Sequence, residues 1–460
     1  MTDSSSIKSS AADPGLSSLT TQQRVAASLR RRRRSETLFR SVGLGSVLVS
    51  LALVAILFIN IFSKGVPAFW QTSFEVDIYF DPDIISIAEK PEQQANESFS
   101  DFDARLEQWE TELGFVNFNA LINQAIIPLL PDFQRSQTRL VQQLVTSGER
   151  HALRNMVMQD PTLIGQTKTL RLLTSANVDV WLKGNIDRSL GDEQQQLPAQ
   201  VREWADQLYA QGHIKNRFST ALFMNPDSRS SLASAGLAGA LVGSLYMMLI
   251  VILLAVPMGV AAAIYLEEFA PKNKLTDVIE VNINNLAAVP SIIFGLLGAA
   301  IFINWFNLPM SAPIVGGLVL TLMTLPTVII ATRATLRAIP PSIRSAALGL
   351  GASKTQTVFH HVLPLAIPGI LTGSILGVAQ ALGETAPLLL IGMKSFVASV
   401  PHTPFDQSTA LPVQIYLWQG NELRNFFEAR TSAAIIVLLM MMMTLNGLAI
   451  WLRRKLEVRW

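Results

Sequence analysis

The sequence predicts an α-helical integral membrane protein with six membrane-crossing helices. A mainly helical or α+β domain lies outside the membrane between the first and second of these. Three observations lead there. Of the 460 residues, 50% are hydrophobic and only 15% charged, where soluble globular chains carry about 25% charge. The charges are gathered into blocks that alternate with long charge-free runs. When those runs are threaded across a membrane in order, every loop on one side is basic, as the positive-inside rule requires.

Residues 1–28 are rich in Ser, Ala and Thr, a composition expected to form a disordered tail. Arg30 to Arg34 follow, and residues 1–40 together read as a basic cytoplasmic tail. Ser41 to Phe62 carries no charge, which meets the length of about 20 residues that a spanning helix needs. The h-region of a cleaved signal peptide is shorter, roughly 7–15 residues, so 41–62 reads as an uncleaved first span. Beside a span, the arginine run marks the cytoplasmic side, and no nucleic-acid partner is expected. Residues 63–230 are charged, aromatic and glutamine-rich, and long enough to bury a core. FDARLEQWETEL and VREWADQLYAQG have helical periodicity, whereas SFEVDIYF and TLRLLTSANVDVWL read as strands. With one span before it, this block is placed in the periplasm.

Residues 231–460 read as a five-span core. Ser230 to Leu266 is charge-free, and Val281 to Thr332 is divided into two spans by WFNLPMSAP. A run from His361 to Gly392, interrupted by Glu384, and a last run from Thr431 to Leu452 complete the six. Alternation places Lys272 and Lys274, Arg333, Arg337, Arg344 and Lys354, and Arg453 to Lys455 on the cytoplasmic side, together with both termini. Cysteine is absent, which excludes disulfides, thiolate nucleophiles and thiolate metal sites.

The basic loop 333–364 contains SAALGLGASKTQTVFHHVLP. A phosphate-binding P-loop needs Gly directly before Lys-Thr and another five residues earlier; Ser353 and Leu348 stand there instead. His360 and His361 are adjacent, so on a helix they point about 100° apart, and no metal site is expected. What remains is a small-residue helix, a glycine turn at Gly351, a second short helix and Leu363-Pro364 entering the next span. This resembles the cytoplasmic coupling loop of ABC importer permeases, whose pattern is Glu-Ala-Ala, three residues, Gly, nine residues, Ile, any residue, Leu-Pro. Ala346, Ala347, Gly351, Leu363 and Pro364 fall at matching positions, while Ser345 replaces the Glu and His361 the Ile.

Residues 263–298, ALGETAPLLLIG (381–392) and TALPVQIYLWQ (409–419) resemble the PstA-type permease of the phosphate importer. The resemblance covers about 233–460; shorter members of that family lack the block at 64–229. It implies type I ABC importer architecture and a transporter subunit that is not itself an enzyme. It further implies a PstC-type partner permease, a pair of PstB-type ATPases using ATP and Mg, and a periplasmic phosphate-binding protein. This chain would bind no cofactor.

On that resemblance Glu384, with Thr385 beside it, is expected to pair with an arginine of the partner permease along the substrate pathway. A bare carboxylate would repel an anion. Arg333 would either help an anion leave or lie at the membrane interface. Asn285 and Ser291 offer neutral donors around the third span, where Pro290 permits a break. The rival readings are a permease for molybdate or sulfate, a secondary transporter, and a membrane-anchored sensor with a large external domain.

Overall fold

The computed structural model describes residues 21–94, 97–393 and 397–456. Two compact units divide between Ile61 and Phe62. The first is a stretch of one helix, α1 (Thr21–Gly65), whose apolar side chains, Leu48 and Ile56 among them, are exposed. The tail expected at 1–28 lies outside the described residues up to Thr20. From Thr21 the backbone is helical, so 21–28 belongs to α1.

The second unit opens with an α/β region. Its sheet has the order β2-β1-β3, all antiparallel. Strand β1 (Trp70–Tyr79) is central; Ser73 faces Leu173 of β2 (Thr167–Leu173), and Phe74 faces Ile214 of β3 (Ile214–Phe218). Along β1, Phe74, Val76 and Ile78 are buried and Asp77 and Tyr79 exposed, the period-two pattern of a sheet with one covered face. On the outward face Glu75 pairs with Lys215 at 3.1 Å and Arg217 at 2.7 Å. The covering helices are α2 (Phe99–Phe115), α3 (Phe118–Ile126), α4 (Glu149–Gln159), α5 (Ala176–Leu182) and α6 (Ala199–Ala210). TLRLLTSANVDVWL is therefore a strand only as far as Leu173. Ser175 then caps α5, accepting from the backbone N–H of Val178, and a cap of this kind favours helix over a longer strand.

The buried cluster of this region does not close on itself. Phe74, Phe80, Trp204 and Leu153 belong to one apolar cluster with Leu411, Trp418, Phe427 and Val437 from near the end of the chain. A separate core was expected; the observed one is shared. Polar bonds follow the same path. The guanidinium of Arg430, 3% exposed, donates to the carbonyls of Ala233 (2.8 Å) and Ala235 and to Oε1 of Gln71 (3.1 Å) in β1. Asp227 accepts from Gln414 Nε2 at 3.0 Å and Trp418 Nε1 at 3.1 Å.

Beyond Leu237 the chain is helical: α7 (Ala238–Ile264), α8 (Lys274–Ala287), α9 (Ser291–Gly298), α10 (Pro313–Ala338), α11 (Pro341–Gly349), α12 (Leu363–Gly383), α13 (Leu411–Gln419) and α14 (Arg424–Leu456). Among the described residues five helices are long and apolar enough to cross a membrane: α1, α7, α10, α12 with the turns before it, and α14. A sixth crossing requires α8 and α9 together, and these are bent by 101°. The single third span expected from Val281 is thus broken at Val289-Pro290. Proline has no N–H to donate and turns the preceding residue away from helix. Of the charge-free run from Ser230, residues 230–237 do not extend the membrane helix. Ser231, Ala233, Ala235 and Leu237 are buried instead. Between the charge-free runs that end at Gly392 and begin at Thr431 lies α13, whose entry from Ser408 to Gln414 is buried.

Glu149 provides a test of the α/β core. It is 9% exposed, and its Oε1 accepts from Leu173 N at 3.0 Å. Burial outweighs that bond and pushes its carboxyl up to about 7. A folded value above the unfolded one means that folding takes up a proton. This contribution is fully present below about pH 4 and is lost as pH rises through 7, amounting to about 3 kcal/mol. Glu149→Gln should flatten that slope and raise the melting temperature above pH 7, read by intrinsic fluorescence of the full chain. Equal pH slopes in both proteins would refute this.

Candidate coupling site at the basic loop

Helix α10 ends at Ala338, and Pro340 and Pro341 start α11 in a new direction. Pro341 sits in the first turn of α11, where a missing N–H costs nothing. Ser345 and Ala346 are exposed, whereas Ala347 is 6% exposed and turned inward. The chain reverses through Gly351 at φ +89°, with no atom within 4 Å of where a Cβ would stand. Glycine is required there by conformation and not by space. Ser353 then opens the return helix through a reciprocal cap: Gln356 N donates to Ser353 Oγ at 3.2 Å, and Ser353 N to Gln356 Oε1 at 2.9 Å. That helix runs through a wider turn at Thr357–Val362 into α12, with Leu363 and Pro364 half-buried. Beneath the hairpin lie Ile264, Leu336, Ile339, Val358 and Val362, all buried.

The hairpin is fastened to the turn Tyr265–Phe269 at the end of α7. From α11, Arg344 reaches Glu268 at 2.6 Å and also donates to the carbonyls of Leu336 (2.9 Å) and Ile339 (2.8 Å). From the return limb, Lys354 Nζ lies 5.5 Å from the centre of the Phe269 ring. From α10, Arg337 pairs with Glu267 at 2.9 Å, and Arg333 with Glu267 at 3.3 Å and with Glu280 of α8. Arg333 is 8% exposed, so in this conformation it is a buried, carboxylate-paired cation and not an open anion site. Glu267, Glu268 and Glu280 were missed as partners. The available signal was the acidic pair placed between an apolar run and a loop expected to face the arginines.

The remaining residues singled out from sequence lie elsewhere. Glu384 is not at the middle of a helix: α12 stops at Gly383, and Glu384 is extended (φ −74°, ψ 128°), half-buried, and without a side-chain bond among the described residues. Thr385, also half-buried, accepts from Leu389 N at 3.1 Å in the short turn that follows. That turn packs on α9, where a Cβ at Gly295 would stand 2.7 Å from Pro387 Cα. Ser291 begins α9, and Asn285 is exposed on α8, across the elbow. The structure therefore groups Ser291, Glu384 and Thr385 on neighbouring elements around a break. Arg333 belongs to the other cluster, at the basic loop.

Between the two clusters α12 crosses α10 on glycines spaced four apart. Added Cβ atoms at Gly369, Gly373 and Gly377 would come within 2.3, 2.3 and 2.9 Å of Thr335, Ala331 and Thr324. Small residues at this spacing let helix backbones approach closely in an apolar solvent.

Residues 255–460 match the family described as binding-protein-dependent transport system inner membrane component, and residues 26–192 match a domain of unknown function, DUF3333. The probable ABC transporter permease protein YqgI of Bacillus subtilis is 36% identical over 168 residues, 36% of this chain and 56% of YqgI. The phosphate transport system permease protein PstA of Mycobacterium leprae is 35% identical over 184 residues, 40% of this chain and 59% of that protein. The probable ABC transporter permease protein YqgH of Bacillus subtilis is 30% identical over 222 residues, 46% of this chain and 69% of YqgH. The chain thus spans little more than half the length of the first two relatives. It is a multi-pass, mostly helical membrane protein with an α+β region toward its N-terminus. It belongs to the family of ABC transporter permeases that form the inner membrane component of binding-protein-dependent transport systems, a non-catalytic transporter subunit.

Gly373→Ala places a methyl against Ala331 and should destabilise the purified protein by about 1–3 kcal/mol. Adding Ala331→Gly should return part of that loss. Thermal unfolding of both variants tests it, and a single substitution without effect would show that the helices do not meet there.

Proposed function

We propose that this chain is the permease subunit of an ATP-driven importer that carries inorganic phosphate from the periplasm to the cytoplasm. Both termini lie in the cytoplasm, and the α/β region lies in the periplasm between the first and second spans. The observation that carries the reading is the hairpin at 341–362. Its exposed tip is ready for contact from outside the chain, and its base is tied through Arg344, Lys354 and Glu268 to the end of α7. A push on such a lever moves α7, α10 and α12 together. A PstB-type ATPase pair using ATP and Mg would push from the cytoplasm, a PstC-type permease would complete the pathway, and a phosphate-binding protein would deliver the anion. Alternation between inward-open and outward-open states then requires ATP and the loaded binding protein to favour different states. Phosphate is favoured over molybdate or sulfate by the segments 263–298 and 381–392 and by the relative described as a phosphate permease.

Gly351→Val forces a β-branched residue into the left-handed region, costing about 1–3 kcal/mol locally, and Ala347→Asp buries a charge under the lever. Both should abolish phosphate uptake while the chain still inserts in the membrane; Gly351→Val should retain less ATPase on purification. Normal uptake in both would remove the coupling role. Stimulation of ATP hydrolysis by phosphate, and not by molybdate or sulfate, tests the substrate in the reconstituted complex.

Glu384, half-buried and without a side-chain bond among the described residues, is available to an arginine of the partner permease. Glu384→Gln should leave assembly intact and lower flux per complex, with partial recovery when the partner's cation is neutralised. Unchanged flux per assembled complex would exclude a pathway role.

A further inference from the structure

The α/β region contains a cavity that coupling and transport leave unused. It has a volume of about 410 Å³ and lies between the start of α4 and the connection from α2 to α3. Arg150 and Arg154, one helical turn apart on α4, line it together with His151, Asn117, Asn119 and Phe115. No carboxylate lines it, and among the described residues neither arginine belongs to an ion pair. The neighbouring Glu149 is turned away, its carboxylate on Leu173 N. Nε of Arg154 is buried and has no hydrogen-bond partner. Arg150 Nε donates to His151 Nε2 at 3.2 Å, which keeps that nitrogen free of a proton. Partial burial and the two guanidiniums hold His151 below its ordinary range, so around neutral pH it adds no third positive charge.

Like charges four apart on a helix destabilise it, and a buried N–H left without a partner is costly. An anion in the cavity would offset the repulsion between the two guanidiniums. The volume lies within the range of about 300–1,000 Å³ usual for small-molecule sites and leaves room beyond a bare tetrahedral oxyanion. Phe115, 85% exposed at the rim, offers an apolar face to the rest of such a molecule.

We propose that this cavity is a binding site for a small molecule bearing an oxyanion, clasped by Arg150 and Arg154 and oriented by Asn117 and Asn119. The site is separate from the transport pathway and stands independently of the permease assignment. Its shared chemistry, a phosphate oxyanion, is available from free inorganic phosphate or from a phosphate monoester.

The test is arginine footprinting of the purified full chain with phenylglyoxal, read residue by residue by peptide mass spectrometry. Labelling is compared in chloride, inorganic phosphate and glycerol 3-phosphate at equal ionic strength. With probe at about ten times its dissociation constant, labelling of Arg150 and Arg154 should fall about tenfold. Arg171, on an outward strand position, should not change. Protection by inorganic phosphate identifies a free-anion site, and protection by the monoester alone identifies an organic ligand; both support the proposal. Arg154→Gln should abolish protection at Arg150. Unchanged labelling of both arginines in both probes, in the unsubstituted protein, would overturn it.

Discussion

The guanidinium of Arg430 is the point on which the arrangement of the second unit depends. It is buried near the start of the last long helix and bonded to two carbonyls of the segment before α7 and to Gln71 of the central strand. Gln71 closes the circuit: its Nε2 donates to Ala233 O at 2.7 Å, and its Oε1 accepts from Ser219 Oγ at 3.0 Å. A buried arginine is tolerated only where its donors are satisfied, and here the acceptors come from two separate stretches of chain, β1 and the segment before α7. Sheet, connecting segment and last helix are thereby held in one geometry, and the apolar cluster running from Phe74 to Phe427 fills the space around them.

At the other end the same principle recurs with charge on both sides. The turn Tyr265–Phe269 is gripped from α10, α11 and the return limb of the hairpin through Glu267, Glu268 and Phe269. Such contacts are individually modest at a wetted surface, but the Arg344–Glu268 pair is largely shielded and shares its donors with two helix-end carbonyls. These contacts tie α11 to the end of α10 and to the turn that follows α7. Between this turn and the break at Glu384, α12 lies against α10 on bare glycine backbone. Close-packed elements of this kind have low compressibility and transmit strain.

The breaks in the membrane helices have local causes. Pro290 divides α8 from α9, and the chain leaves the helix again at Glu384 before Pro387. Free backbone groups at such breaks are acceptable in a membrane only where protein or a water-lined space surrounds them. Ser291, Glu384 and Thr385 stand at these interruptions, whereas the paired charges of the helical region gather at the basic loop.

The helical class, the position of most long helices and the hairpin at the basic loop were all legible in the sequence. Charge-free length, proline placement and the Ala347–Gly351 spacing are local properties of the chain. The same holds for SFEVDIYF as a strand, because period-two burial is written in consecutive residues. What the sequence alone left open was every relation between distant segments. Nothing near Arg430 announces Gln71 or Ala233 as its partners, and nothing near Arg333 distinguishes a free cation from one held by Glu267 and Glu280. Alternation in NVDVWL suited a strand equally well until Ser175 capped it as a helix. The shared core and the sideways bend at Val289-Pro290 were likewise decided only in three dimensions. Patterning specifies which face of an element avoids water, but which other face covers it depends on packing among all the elements at once.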